Sequence, residues 1–170
     1  MVQIDEKKVI KAAEEGMDAF LDVFVQAIYH DIDGELNATT MERLNANQIT
    51  LLAYHILREE VMDGGFVQLI HNGYGPFIFK NPFAKAVKEW GMDELAALIN
   101  KGRNYYQKYG SQIEAECNEE EFMALFEKYS DFDNLDDKFV EYEEEWTEQV
   151  AHYIDEHITS FADIKEEIHG

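Results

Sequence analysis

Residues 134–158 constrain the fold most strongly, because their pattern predicts one long helix with two different faces. At about 100° per residue, the large apolar side chains fall on one face, which is typical of a helix packed against a core. These residues are Leu135, Phe139, Tyr142, Trp146, Val150 and Tyr153. The nearly opposite face carries Asp137, Glu141, Glu144, Glu148 and Asp155, with Asp136, Glu143 and Glu145 flanking them. We therefore predict a long, acidic, amphipathic helix in the C-terminal part of the chain.

Apolar residues recur at helical spacing in most of the remaining chain, whereas the alternation typical of strands is nearly absent. Helices are predicted near residues 9–28, 40–62, 81–90, 92–109 and 118–129. Both prolines lie in residues 74–82, which are predicted to form a loop. No linker or low-complexity tract divides the 170 residues. The predicted fold class is therefore all-α, with a single compact multi-helix domain over residues 1–170.

Negative charge is concentrated in the last third of the chain. The protein has 36 Asp and Glu residues against 14 Lys and Arg residues, a formal net charge of −22. Residues 114–170 contain 20 acidic residues and three lysines, so they carry −17 of that total. Such a surface repels nucleic acid and anionic membranes and attracts basic partners. We expect a basic protein partner, with no direct binding to nucleic acid or membrane.

Cysteine content and the N-terminal sequence bear on the compartment. Cys117 is the sole cysteine, so no intrachain disulfide can form, as is usual in a reducing environment. The N-terminal residues lack the basic-then-apolar pattern of a signal peptide, and no apolar run is long enough to span a bilayer. These observations predict a cytoplasmic protein.

A glycine pair in residues 57–73 carries a family resemblance. This segment reads Leu-Arg-Glu-Glu-Val-Met-Asp-Gly-Gly-Phe-Val-Gln-Leu-Ile-His-Asn-Gly. It resembles the Asn-Gly-Gly-Phe-x-Gln-aromatic-aromatic-x-Asn signature of the acidic bacterial DNA-mimic family, the DNA mimic protein nineteen-like proteins. Asp63 stands where the family has Asn, and Leu69 and Ile70 replace the aromatic pair. The resemblance is strongest over residues 45–109 and continues more loosely into the acidic helix.

The resemblance implies binding by imitation of DNA. Proteins of this family are helical and are thought to present carboxylates where DNA presents phosphates. By implication, this chain is a non-catalytic acidic protein that occupies the DNA-binding surface of a basic transcriptional regulator or nucleoid protein. The candidate partner-binding residues are Asp136, Asp137, Glu141, Glu144, Glu145, Glu148, Asp155, Glu119 and Glu120. Glu119 and Glu120 are included because a second acidic element beside the last helix would bring the charge density closer to that of DNA.

The glycine motif itself is interpreted as architecture. Gly64 and Gly65 permit a positive φ and close helix packing, and Phe66 is expected to fill the core. Gln68 and Asn72 are expected to satisfy buried backbone groups at the turn. The functional alternative is a small polar pocket formed by Gln68, His71 and Asn72.

Two other functions are left open by the residues. One is an acidic helical scaffold that binds a partner other than nucleic acid, or a second copy of itself, through the aromatic segment 74–83. The other is a metal-dependent enzyme, since Glu148, His152 and Glu156 are spaced i, i+4, i+8 and His55 precedes Glu59 by four. Neither a Glu-x-x-His pair of the di-iron type nor a His-Glu-x-x-His motif occurs. We therefore expect no metal, no cofactor and no catalytic residues.

Overall fold

The computed structural model describes residues 2–166, and nearly all of their regular structure is helical. The helices are α1 (Glu6–Glu15), α2 (Met17–Asp31), α3 (Ala38–Met41), α4 (Ala46–His71), α5 (Gly75–Phe79), α6 (Phe83–Glu89), α7 (Asp93–Glu114), α8 (Glu119–Lys128), α9 (Asp133–Glu156) and α10 (Ile158–Phe161). A 3₁₀ turn, Ser130–Phe132, precedes α9. The predicted all-α class is confirmed.

The described residues divide into two compact units. The terminal unit contains the described residues up to Leu52 and those from Glu145 onward, and the central unit is Ala53–Glu144. Helices α4 and α9 each have residues in both units. A single domain over residues 1–170 stays a prediction, and Met1 and residues 167–170 of it lie outside the described residues.

The two ends of the described chain meet in the terminal unit. Strands β1 (Gln3–Asp5) and β2 (Asp163–Lys165) pair in parallel, with Ile4 opposite Ile164. The Gln48 side chain adds a hydrogen bond by donating from Nε2 to the Phe161 carbonyl at 2.8 Å. The sequence analysis did not predict these strands, because three residues are too short for an alternating pattern to be recognised.

Aromatic rings form the middle of the central unit. The Phe66 ring is fully buried and stacks on Phe79 and Phe132, with centroid distances of 6.2 and 6.1 Å. The prediction of a loop over residues 74–82 is wrong for Gly75–Phe79, which forms α5. Pro76 fits there because the first turn of a helix needs no intrahelical bond from its backbone nitrogens. The aromatic segment therefore contributes to the core.

Candidate functional site

Six carboxylates form an exposed line along α9, which we call the acidic row: Asp137, Glu141, Glu144, Glu145, Glu148 and Asp155. All six residues are exposed. The 18-residue step from Asp137 to Asp155 corresponds to roughly 27 Å along the helix axis. Within the part of the chain that the structure describes, none of the six forms a salt bridge. Their negative charge is therefore available to a partner.

Asp136 is less exposed than the residues of the acidic row, and we do not include it in the candidate partner-binding surface. Its side chain is half-buried, and its Oδ1 accepts a hydrogen bond from the backbone nitrogen of Phe66 at 2.8 Å. The pKa of Asp136 is raised to about 7, mainly by burial; the hydrogen bond from the Phe66 N–H lowers it, and the nearby carboxylates of Asp133 and Asp137 raise it. Its role is to hold the backbone of α4 in the central unit.

The glycine motif produces a kink in α4 at Gly65, the residue before Phe66, whose backbone N–H donates to Asp136. Gly65 has φ 77° and ψ −176°, a conformation that is essentially restricted to glycine, and the chain is helical before and after it. A β-carbon at position 65 would overlap the Asp136 carboxylate, and one at position 64 would overlap the side chain of Gln68. Both positions therefore favour glycine because a β-carbon would overlap a neighbouring side chain, and position 65 also because of its backbone conformation.

The polar residues of the motif bind carboxylates instead of backbone groups, contrary to the prediction. Gln68 Nε2 donates to Glu60 Oε2 and Asp63 Oδ2, both at 2.9 Å. Asn72 Nδ2 donates to the same Glu60 oxygen at 3.0 Å. His71 has different neighbours, because its Nδ1 lies 2.8 Å from the Ile113 carbonyl oxygen. Gln68 and Asn72 thus share Glu60 as an acceptor, whereas His71 contacts a different element, and all three side chains of the suggested polar pocket are engaged in structural contacts.

Replacement of Gly65 by alanine is expected to destabilise the protein by about 2–4 kcal/mol. Backbone strain contributes about 1–3 kcal/mol, and displacement of Asp136 leaves the Phe66 N–H without its acceptor. Urea unfolding would measure the change. Gly34→Ala is the matched control, because Gly34 has a similar φ of 76° but open space around it. An equal loss in both variants would show that the Asp136 contact contributes nothing.

Glu143 is a second α9 carboxylate with a structural role. Only 8% of the residue is exposed, and its Oε1 lies 2.6 Å from Nε of Arg58 on α4. Sequence reasoning placed Glu143 beside the acidic face and did not identify its partner. A signal was present, since the helical rotation of about 100° per residue puts Glu143 only about 20° from buried Val150. Its position on the border of the apolar stripe indicates burial.

The raised pKa of Asp136 predicts a pH-dependent effect of Asp136→Asn. A folded-state pKa of about 7 against an ordinary value of 3.8 means that the contribution of Asp136 to stability is full below about pH 4 and is lost as the pH rises through 7. Asparagine keeps an oxygen acceptor for Phe66 and carries no charge. We expect the variant to match the parent near pH 4 and to be more stable by roughly 1–3 kcal/mol at pH 8.

Thermal or urea unfolding between pH 4 and pH 8 would measure this difference. Glu141→Gln is the control, because Glu141 is an exposed carboxylate of the same helix that neither holds the kink nor is among the charges that raise the pKa of Asp136. A constant difference between Asp136→Asn and the parent at all pH values would contradict the assignment.

The acidic residues of α8 lie in its first turn. Glu119 and Glu120 are exposed there, and Glu121 completes a capping box with Asn118. Carboxylates at a helix N-terminus are stabilised by the helix dipole, so these residues have a structural explanation besides partner binding. The ring of the next residue, Phe122, packs on His71 with a centroid distance of 4.7 Å. Their membership of a partner surface stays a prediction.

The residues behind the alternative functions are also located. In the aromatic segment, Phe79 and Phe83 are each 2% exposed, Phe77 is half-buried and Tyr74 is 36% exposed. His152 Nε2 lies 3.1 Å from Glu156 Oε1. Among residues 2–166, no group of three or more His, Cys, Asp or Glu side chains is arranged to hold a metal ion. None of the described helices is both long enough and apolar enough to cross a membrane.

Comparison with known proteins identifies the family. A model of the family described as DMP19-like protein matches residues 42–157, which include the kink in α4, α8 and all of α9. The chain belongs to the DMP19-like protein family. It is also 31% identical over 122 residues to "DNA mimic protein DMP19" of Neisseria meningitidis serogroup B, covering 71% of this chain and 74% of that relative. The resemblance inferred from the glycine motif is confirmed.

Proposed function

We propose that this DMP19-like protein is a non-catalytic DNA mimic that binds the DNA-binding surface of a basic transcriptional regulator or nucleoid protein. The acidic row on α9 carries this proposal, because its six exposed carboxylates have no salt-bridge partner within residues 2–166. The name of the neisserial relative, DNA mimic protein, supports it. This chain uses no cofactor in the proposed role, and the complex forms in the cytoplasm.

The spacing of the carboxylates in the acidic row determines the charge density that a partner contacts. Six carboxylates over roughly 27 Å give one about every 5 Å, whereas phosphates follow one DNA strand about every 3.4 Å. One helix therefore presents a sparser line of charge than one strand. A partner whose DNA-binding surface contacts both strands would meet too few carboxylates on one helix. We propose that Glu119 and Glu120 on α8 are the additional carboxylates.

Affinity capture with duplex DNA as competitor tests the proposal. The full chain is immobilised, exposed to a lysate of the source organism at low salt, and eluted either with increasing salt or with duplex DNA. A mimic shares its site with DNA, so we expect a DNA-binding protein rich in Lys and Arg that both agents release. Retention of the captured proteins in the presence of excess duplex DNA would contradict mimicry.

A second affinity column distinguishes binding to the acidic row from binding that depends only on the overall negative charge of the chain. It carries the chain with Glu141, Glu144 and Glu148 replaced by lysine and is treated with the same lysate. Proteins recovered on both columns do not depend on the row. Direct titration of the parent chain with duplex DNA is expected to show no binding, because the net charge of −22 repels phosphates.

A further inference from the structure

A groove of about 400 Å³ lies in the terminal unit, beside the C-terminal half of α9. The bend between α1 and α2 forms its other side. Small residues leave this space open: Ala13 and Gly16 at the bend, and Ala151 on α9. Gly16 has φ 130°, which turns the chain directly from α1 into α2.

The floor of the groove is apolar. Met17 is half-buried, and Phe20 presents the 8% of its surface that is exposed while packing edge-to-face on Phe24 at a centroid distance of 5.2 Å. Ala151 is 9% exposed. His152 also lines the groove, and its Nε2 lies 3.1 Å from Glu156 Oε1. An apolar side chain placed against Met17, Phe20 and Ala151 would lose water contact, which favours its binding.

Two carboxylates of the acidic row border this floor. Glu148 and Asp155 are both exposed and are seven residues apart on α9, about 10.5 Å along its axis. Basic side chains seven residues apart on another helix have the same spacing, because the rise per residue is the same. A side chain halfway between them on the same face of that helix would lie over the floor.

We infer that this groove takes an apolar side chain from a basic helix of the protein partner, with Lys or Arg side chains on either side meeting Glu148 and Asp155. This inference rests on the proposed function and adds a source of selectivity to it. Phosphate-like charge attracts every DNA-binding protein, whereas an apolar floor favours those whose basic helix carries an apolar residue at the matching position.

The test uses two synthetic helical peptides of about 18 residues, long enough to hold a helix. Each has lysines at positions i and i+7, with leucine at i+4 in one peptide and glutamine in the other. Both are titrated into the full chain at low salt. We expect the leucine peptide to bind about tenfold more tightly, the lower end of the effect of burying a leucine, because the groove is open.

Ala13→Trp fills the groove without changing any charge, and Ala13 is exposed, so the helix content measured by circular dichroism should be unchanged. This variant is expected to bind both peptides equally. Ala97→Trp on α7 is the matched control, since Ala97 is an exposed helical alanine in the central unit, and it should keep the tenfold preference.

The possible results distinguish binding of a side chain in the groove from attraction of a basic helix to the acidic row. Equal binding of both peptides by the parent chain, or a preference that persists in Ala13→Trp, would overturn the groove and leave the charge-based function intact. Failure of both peptides to bind at low salt would overturn the groove and contradict the attraction on which the proposed function depends.

Discussion

Replacement of Glu141, Glu144 and Glu148 by lysine is expected to weaken binding of the basic partner by about a hundredfold or more at low salt. Each substitution converts an attraction into a repulsion of similar size, and exposed pairs of this kind contribute about 1 kcal/mol each. The three residues are exposed and have no salt-bridge partner among residues 2–166, so the fold should tolerate the change. The affinity of the captured partner, measured by calorimetry at several salt concentrations, would give the effect.

A control with the same change in net charge distinguishes the row from the overall field. Glu35, Glu42 and Glu89 are exposed and lie outside α9, so their replacement by lysine also adds six units of positive charge. We expect this control to lose less than tenfold in affinity, through the long-range field alone. Equal losses in the two triple variants would show that binding depends on net charge and not on the acidic row.

The helical parts of the fold were predictable because amphipathic periodicity survives over many turns. The apolar spacing predicts a helix over 134–158, and α9 is Asp133–Glu156; it also predicts that a helix over 40–62 ends before the glycine pair, where α4 (Ala46–His71) is kinked at Gly65. In both cases the signal is local, since it comes from the spacing of apolar residues or from a residue with unusual φ. The strands β1 and β2 had no such signal, because each is defined by the other, about 160 residues away.

The roles of the candidate site residues were harder to predict than the fold. On the same helix, some carboxylates are exposed whereas others of identical chemistry are engaged in structural contacts. A helical wheel separates the apolar stripe from its opposite face, and it correctly gives exposure for Asp137 and Glu141. On the border of the stripe, the wheel indicates burial but not which residue of another helix the carboxylate contacts. Asp136 meets the kink in α4 and Glu143 meets Arg58, and neither contact is encoded by the local sequence of α9.

Removal of the Arg58 side chain is expected to have the largest effect on stability. Arg58→Ala removes one member of a buried pair, in which Arg58 Nε lies 2.6 Å from Glu143 Oε1, and breaking such a pair typically costs about 3–5 kcal/mol. Arg43→Ala is the matched control, because Arg43 pairs with Asp31 at 3.7 Å and its side chain is 52% exposed. Asp31 is half-buried, but the pair is long and its cation is open to solvent, so it should contribute about 0–1 kcal/mol, as ion pairs at the surface do. Urea unfolding of the two variants would give both values.

A double variant separates the missing cation from the missing side-chain volume. Arg58→Met with Glu143→Leu removes both charges and keeps similar volume, so it should recover most of the stability lost in Arg58→Ala. Recovery would show that the cost arises from the buried charge of Glu143 and not from the lost side-chain volume. If Arg58→Ala is no less stable than Arg43→Ala, then the pair between Arg58 and Glu143 contributes no more to stability than an ion pair at the surface.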